Sequence, residues 1–304
     1  MASPIRPLPF DPATVAGLSE RLLLSHHANN YGGAVRRLDA IRAELAELPF
    51  ASSPGYRING LKREELMARN SVALHELYFA SIAGGSEVPQ IGPPMAVALA
   101  AGFGSVDRWR EEFGAIGKAL GGGSGWVLLV FDPREGKLVN QWASDHSQVL
   151  AGSAPLLALD MYEHAYHLDY GAAAAAYVDS FLTRVDWAQV HQRYRASLQA
   201  ASEPFGIAID GLADTDVIDV RRAGAYQASD SVIPGSVWRD PTAIADWGST
   251  LAASRRVAVY CVHGHDLSQA AALRLRAAGV DAHYLRGGIE AWQAAGAPLQ
   301  RRPD

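Results

Sequence analysis

Cysteine is almost missing from this 304-residue chain, in which Cys261 is the only one. A single thiol excludes a disulfide within the chain and is typical of proteins kept in a reducing compartment. The chain also lacks any uninterrupted apolar run near the roughly 20 residues that a membrane helix needs. Its first residues lack the charged and apolar regions of a secretory signal. We therefore expect a cytoplasmic protein with no membrane partner.

An excess of basic charge is missing as well, since the formal net charge is −5. A chain without a broad basic surface is a poor candidate for nucleic-acid binding, so we expect no nucleic-acid partner and a small-molecule chemistry instead. Hydrophobic residues make up 49% of the sequence. At this length one core usually divides, and the chain is expected to fold as two domains.

Two helices are predicted in residues 1–90, where apolar residues recur at intervals of three and four. The patterns run over about 18–48 and 61–82 and predict an antiparallel helical hairpin. Gly32 and Gly33 interrupt the first pattern. Two glycines cost about 2 kcal/mol of helix propensity relative to alanines, so we expect a kink or a local break there.

The rest of the chain mixes strands and helices. In residues 91–200 one helix precedes two strands that flank the turn PREG, and a third strand, PLLALD, precedes two terminal helices. This part is expected to be α+β. Beyond it, the short runs VIDV, RVAVYC and DAHYL alternate with helical segments, which predicts an α/β domain with a parallel sheet. The predicted domains are 1–200 and 201–304.

A metal site is suggested by Asp160 and His164, four residues apart at the end of a predicted strand. A helical turn between them would bring a carboxylate and an imidazole to one ion. Alone, this spacing is more typical of a capping or surface pair. The pair His26–His27 and the single His75 lie on the two predicted helices, and three imidazoles with one carboxylate would complete a metal site.

Several segments of the first 200 residues resemble, in order and spacing, the signature regions of iron/manganese superoxide dismutases, over nearly all of residues 5–196. The resemblance implies a helical hairpin followed by an α+β part with a three-stranded antiparallel sheet, and a homodimer or higher homo-oligomer. The segments are LPFDPATVAGLSERLLLSHHANNYGGAVRRLDAI, HELYF, FGSVDRWREEF, GSGWVLL and LDMYEHAYHLDYGAAAAAYVDSFLTRVDW.

The resemblance places the ligands of one iron or manganese ion per subunit on His26, His75, Asp160 and His164. His27 replaces His26 if the alignment shifts by one residue. The implied substrate is superoxide: one superoxide reduces the trivalent metal and leaves as dioxygen, and a second reoxidises the divalent metal and leaves as hydrogen peroxide. Hydrogen bonds to a solvent molecule on the metal tune its potential in such sites.

The sequence departs from the family around this site. The positions that match the outer-sphere glutamine hold Ser71 and the stretch ASDHS, and we interpret His146 as the substitute hydrogen-bond donor, with a plain loop histidine as the alternative. The gateway tyrosine position falls on Ala34 in an ungapped match, whereas Tyr31 is the alternative gateway residue. Only one of these two assignments can be right.

Other matched positions line the pocket or the subunit interface of the family. Trp126 matches an aromatic lining residue, and Phe79 and Tyr162 stand where tryptophan is commoner. Glu163 matches a residue that reaches across the dimer interface, and His167 replaces the interface tyrosine. These changes leave the choice between iron and manganese open.

Residues 206–302 resemble single-domain rhodaneses through VIDVRRAGAYQASDSVIPGSVW and VAVYCVHGHDLSQAAALRLRAAGVDAHYLRGGIEAW. Cys261 lies between an apolar strand and a helix, where a thiolate is stabilised by the helix N-terminus. The resemblance implies a persulfide on Cys261, a small sulfur donor or acceptor as partner, and a structural role for Asp219. The loop CVHGHDLS has no arginine, and only His263 and His265 could partly replace one. A buried, unreactive Cys261 is the alternative.

The leading prediction is therefore a superoxide dismutase with an appended rhodanese-like module, and a second, sulfurtransferase activity of that module is left open. One alternative is a sulfurtransferase or persulfide carrier that uses Cys261, with the first domain as a non-catalytic metal-binding scaffold. The other is a metal- or oxyanion-responsive protein in which the first domain binds metal without rapid turnover.

Overall fold

The computed structural model describes residues 3–251 and 255–303. After a short 3-10 turn, the chain forms α1 (Glu20–Ser25), a π-helical turn (His26–Tyr31) and α2 (Gly32–Ala46), and then α3 (Gly55–Phe79). Helices α2 and α3 pack against each other. The predicted helical hairpin is confirmed.

The break expected at Gly32 and Gly33 is absent, since the helix α2 begins there; the irregular segment is a π-helical turn over the preceding residues, His26–Tyr31. His26 and Tyr31, at its two ends, are both buried. A π-turn inserts an extra residue into a helix, so it changes which side chains face the core on either side. Here it places His26 inside the molecule and leaves His27 half-buried at the surface.

The next part is the predicted α+β unit. It contains α4 (Pro93–Phe103), α5 (Val106–Ala119), β1 (Trp126–Asp132), β2 (Lys137–Ala143) and β3 (Ala154–Asp160), followed by α6 (His167–Tyr170), α7 (Ala174–Leu182) and α8 (Trp187–Ser202). The three strands form an antiparallel sheet in the order β2-β1-β3. Strand β1 is buried along almost its whole length, and Trp126 at its start pairs with Asp160 at the end of β3.

The C-terminal part is an α/β domain with the predicted parallel sheet. Its elements are β4 (Gly206–Ile207), β5 (Asp216–Asp219), α9 (Ala223–Gln227), β6 (Ser231–Val232), β7 (Val237–Trp238), α10 (Ile244–Gly248), β8 (Val257–Tyr260), α11 (Asp266–Ala277), β9 (Ala282–Leu285), α12 (Gly288–Ala294) and β10 (Gln300–Arg301). Five strands are parallel in the order β4-β9-β8-β5-β7.

Helix α11 joins the two parts. It packs against α8 and α4, and its Leu273 is buried in the same hydrophobic cluster as β1 and β3. Gly136, in the turn between β1 and β2, has a φ of +63°, and a Cβ there would lie 2.8 Å from Arg274 N. The two parts are therefore closely packed. Over the residues described, no helix combines the length and apolar character needed to cross a membrane.

Candidate metal centre and thiol loop

Four side chains from separate elements converge in the N-terminal part. His26 of the π-turn, His75 of α3, Asp160 at the end of β3 and His164 just after it each offer one ligand atom, and these atoms lie within 4.8 Å of one another. Asp160 Oδ2 is 3.1 Å from His26 Nε2, 3.5 Å from His75 Nε2 and 3.2 Å from His164 Nε2. Three imidazoles and one carboxylate at these distances fit a single metal ion of the iron or manganese type.

His26 supports this fit most directly, because it is fully buried and neither of its ring nitrogens has a hydrogen-bond partner within the described part of the chain. Although His26 Nε2 is 3.1 Å from Asp160 Oδ2, the two atoms are not aligned as a hydrogen bond. A buried polar atom without a partner is rare and calls for a missing ligand or ion. Burial also lowers the pKa of His26, so the ring is neutral and able to coordinate.

His27 has a different environment. Its Nε2 lies 2.8 Å from the main-chain oxygen of Arg6, and it is not part of the four-residue cluster. Of the two adjacent histidines, the structure brings only His26 to the cluster.

The tautomer of His75 is fixed by its helix. Its Nδ1 lies 2.7 Å from the main-chain oxygen of Ser71, one turn earlier. A carbonyl oxygen can only accept, so Nδ1 donates and Nε2 keeps a free lone pair that faces Asp160. Burial lowers the pKa of His75 to about 3, which keeps the ring neutral.

Asp160 supplies the negative charge of the cluster. Burial by itself would raise the pKa of its carboxyl, but the neighbouring rings of His164 and His26 lower that pKa well below its usual range. The main-chain N–H of Tyr162 also donates to Asp160 Oδ1 at 2.9 Å, which favours the charged form. The carboxylate is therefore ionised and available to a cation.

His146 reaches the same site from the loop after β2. Its Nδ1 accepts a hydrogen bond from Trp126 Nε1 at 2.9 Å. The indole N–H can only donate, so neutral His146 carries its proton on Nε2. Its ring stacks on Tyr162, with centroids 4.8 Å apart, and its main-chain oxygen accepts from Asn70 at 2.6 Å.

Aromatic rings enclose the cluster. Phe79 packs on His26 with centroids 5.0 Å apart, Tyr162 stacks on His164 at 5.5 Å, and Trp126 meets the ring of His75 at 5.3 Å. The three aromatic positions singled out in the sequence therefore all contact the candidate ligands.

A cavity of about 280 Å³ leads to the cluster, and His75, His164 and His146 lie in its wall. Ala34 also lines this cavity, whereas Tyr31 does not. The Tyr31 hydroxyl donates to Glu76 Oε1 at 2.9 Å and accepts from the Arg6 N–H at 3.0 Å. The interpretation of Tyr31 as the gateway residue is therefore not supported by its position, because the π-turn directs its hydroxyl to the N-terminal segment.

Two residues near the cavity were missed in the sequence. Asn70 fixes the loop of His146 from 76 positions away in the chain, and Arg37 lines the cavity while pairing with Glu64. No local pattern marks either contact, because Asn70 of α3 reaches the loop after β2 and Arg37 of α2 pairs with Glu64 of α3.

The segment between β8 and α11, residues 261–265, is called the thiol loop because it begins with Cys261. Cys261 is buried, and its Sγ lies 3.2 Å from Ser268 Oγ in the first turns of α11. Asp219 is buried next to this loop, where it binds Arg221 through two oxygens and accepts from the Tyr260 hydroxyl at 2.9 Å. His263 pairs with Glu290 at 2.7 Å.

Comparison with known proteins matches both parts of the chain to families. The profile for the C-terminal domain of iron/manganese superoxide dismutases matches residues 91–193, and the profile for the rhodanese-like domain matches residues 207–295.

Three relatives illustrate the similarity of the N-terminal part. An Fe superoxide dismutase of Cupriavidus metallidurans is 56% identical over 195 residues, which cover 64% of this chain and 98% of the relative. An Mn superoxide dismutase of Haloferax volcanii is 34% identical over 203 residues, which cover 66% of this chain and 98% of the relative. An Fe superoxide dismutase of Aquifex aeolicus is 30% identical over 198 residues, which cover 62% of this chain and 90% of the relative. The chain belongs to the iron/manganese superoxide dismutase family and carries a rhodanese-like domain after it.

Proposed function

We propose that the chain is a superoxide dismutase that converts superoxide to dioxygen and hydrogen peroxide at one iron or manganese ion. The observation that carries this proposal is the buried cluster of His26, His75, Asp160 and His164. It lies in a chain that is 56% identical over 195 residues to an Fe superoxide dismutase. A bound iron or manganese ion would supply the one-electron exchange in both directions. The four side chains would hold that ion, and among them Asp160 would supply the one negative charge.

The protein around the cluster would select and protonate the substrate. The cavity, of about 280 Å³, has room for a diatomic anion, and the candidate ligands His75 and His164 line it. Reduction of superoxide to hydrogen peroxide consumes two protons. Nε2–H of His146 is a donor at the cavity wall, because Trp126 occupies Nδ1. We assign to His146 the hydrogen-bonding role that glutamine has in the family.

We further propose a homodimer or a higher homo-oligomer. Leu168 is 48% exposed, four residues after His164, and the neighbouring Glu163 and His167 are exposed as well. An exposed apolar side chain with polar residues around it is typical of a protein interface. Such an interface would place a partner subunit directly behind the ligand His164.

The proposed domain boundary lies at residues 200/201, just before the end of α8. The second module would handle sulfur on Cys261, with a small sulfur donor or acceptor as its partner. The use of a single cysteine in the whole chain supports a reducing location, and we propose the cytoplasm.

Two substitutions test whether the activity resides at the metal cluster. His164→Ala should abolish superoxide decay, because it removes a ligand atom, and should leave chemistry at Cys261 unchanged. Cys261→Ser should leave superoxide decay at the wild-type rate per metal ion. If Cys261→Ser removes the dismutase activity, or His164→Ala retains it, the proposal is wrong.

A further inference from the structure

A second cavity, of about 230 Å³, lies between the two domains and includes Cys261 in its wall. Residues of both domains line it. The dismutase domain contributes His191 and Arg195 from α8, and the rhodanese-like domain contributes Arg222, His265 and Asp266 beside the thiol.

Asp266, the first residue of α11, ties α8 to the thiol loop. Its Oδ2 lies 2.5 Å from His191 Nε2 and its Oδ1 lies 3.2 Å from Arg195 Nε. Asp266 is only 9% exposed, whereas 52% of the Arg195 side chain remains exposed. The pairing therefore holds the Arg195 guanidinium in place at the cavity while leaving much of it available to a ligand.

The charges in the wall favour an anion. Three arginines, Arg195, Arg221 and Arg222, line the cavity against the single carboxylate of Asp266. Arg221 is buried and bound to Asp219, whereas Arg195 and Arg222 are exposed enough to face a ligand. Guanidinium groups bind oxyanions through paired hydrogen bonds. The loop from Cys261 to His265 has no arginine of its own.

We propose that this cavity binds a small oxyanion that carries a transferable sulfur, of the thiosulfate class, and that Arg195 of the dismutase domain is its principal cationic contact. The two domains thus complete one site, in which α8 replaces the arginine that the thiol loop lacks. This inference rests on the proposed sulfur role of Cys261 and is independent of the dismutase activity.

The transfer step balances without any further reactant. The Cys261 thiol loses its proton to solvent, and the thiolate sulfur forms a bond to the outer sulfur of thiosulfate. The S–S bond of thiosulfate breaks, and sulfite leaves with the electron pair. Cys261 is then a persulfide.

Binding is tested with labelled sulfate, an unreactive dianion, by equilibrium dialysis of the full-length protein at fixed ionic strength. We expect one site per chain. Arg195→Gln should weaken the binding about tenfold, because it removes a hydrogen bond from a charged donor. Arg108→Gln removes an exposed arginine from α5, outside this cavity, and should change nothing. An absence of sulfate binding, or equal binding in Arg195→Gln and wild type, overturns the proposal.

The substitution Asp266→Asn distinguishes anion binding from a purely structural role of the Asp266–Arg195 pair. If the cavity binds anions, sulfate binds more tightly to this variant, because the asparagine amide oxygen can still accept from Arg195 Nε while the one opposing charge in the cavity wall is gone. Arg195→Gln, in contrast, weakens the binding. If the pair only holds the domains together, both substitutions weaken binding alike, and the proposal is wrong.

Intact-mass spectrometry measures the transfer of sulfur to Cys261, which is the only cysteine of the chain. Incubation with thiosulfate should add one sulfur atom and release sulfite in the wild type, more slowly in Arg195→Gln, and not in Cys261→Ser. Sulfate binding without any sulfur gain would overturn the transfer part of the proposal. Superoxide decay in Arg195→Gln should equal that of the wild type. A failure of the sulfur-transfer proposal is therefore distinguishable from a failure of the dismutase proposal.

Discussion

His26 and His27 are adjacent residues whose surroundings separate their roles. His26 is buried against Asp160 with both ring nitrogens unpaired over the described residues, whereas His27 bonds a main-chain oxygen. Adjacent side chains on a helix point about 100° apart, so only one of two neighbours can face an internal site. The pair therefore offers a matched test of the proposed ligand set.

We predict that His26→Ala loses bound metal and His27→Ala retains it. Loss of a ligand should cost more than the roughly 10–100-fold in metal affinity that removal of an outer hydrogen-bond partner costs. Metal content after purification, measured by mass spectrometry of the elements, checks the prediction. Full metal in His26→Ala and none in His27→Ala would reverse the assignment.

His146 is predicted to affect turnover and not metal retention. It contacts Trp126 and stacks on Tyr162, but it is not one of the four cluster residues. His146→Ala should slow superoxide decay per metal ion about 10–100-fold, with metal content unchanged. Trp126→Phe, which removes only the N–H that fixes the tautomer, should give a smaller loss in the same direction. An unchanged rate in His146→Ala would show that it is simply a loop residue.

For individual residues, the sequence predicted which side chains form the metal cluster but not the direction in which every side chain points. The spacing of Asp160 and His164 and the resemblance together predicted the four residues that the structure brings together. The choice between His26 and His27, and the direction of Tyr31, depend on the π-turn. Nothing in the sequence HHANNY distinguishes a π-turn from a kink or a break.

Among the elements, β3 is the one whose position decides where Asp160 lies. It is held between β1 and the helices packed behind it, and α5 approaches it through Gly117. A Cβ at Gly117 would lie 3.0 Å from Leu159 Cδ2 and 3.1 Å from Val178 Cγ2. The glycine is therefore needed for close packing of α5 on β3 and α7.

We predict that Gly117→Val lowers the free energy of unfolding by about 1–3 kcal/mol, because the added carbons overpack this contact. Gly60→Val is the control, since Gly60 is exposed on a helix and has no atom within 4 Å of an added Cβ. Its effect should stay within about 0.5 kcal/mol. Denaturant unfolding measures both, and equal effects would contradict the packing argument.

Elements with strong periodicity were predicted and elements without it were not. The hairpin helices, the strands of the first sheet and the parallel sheet were predicted from apolar patterns, and the antiparallel arrangement of the first sheet from the family resemblance; all are confirmed. Helix α4, in PPMAVALAAGF, was missed because it is apolar on nearly every side and follows a proline-rich loop. The two-residue strands β6 and β7 are too short to leave a pattern.

For the whole molecule, the structure adds a close contact between domains that the sequence did not predict. Leu273 of α11 is buried in the cluster around β1, and Gly136 fits against the backbone of α11. Periodicity reports which face of an element is buried but not what covers it. Because the domains share this core, they should unfold together.

We predict that Gly136→Ala separates the unfolding of the two domains. A Cβ at Gly136 would lie 2.8 Å from both Arg274 N and Leu273 Cβ, at a φ of +63°, so α11 must move away. Gly122→Ala is the control, because Gly122 also has a positive φ, of +80°, but has open space around its Cβ position. In scanning calorimetry the wild type and Gly122→Ala should each show one transition, and Gly136→Ala two. Identical profiles for the two variants would contradict this account of the interface.

The most direct test of the dismutase proposal is the rate of superoxide decay by purified full-length protein, normalised to its bound iron and manganese. We expect a fast rate in proportion to bound metal, and no superoxide decay above background in His26→Ala. Metal bound at about one ion per chain without turnover would contradict it, and would leave Cys261 as the remaining candidate for catalysis.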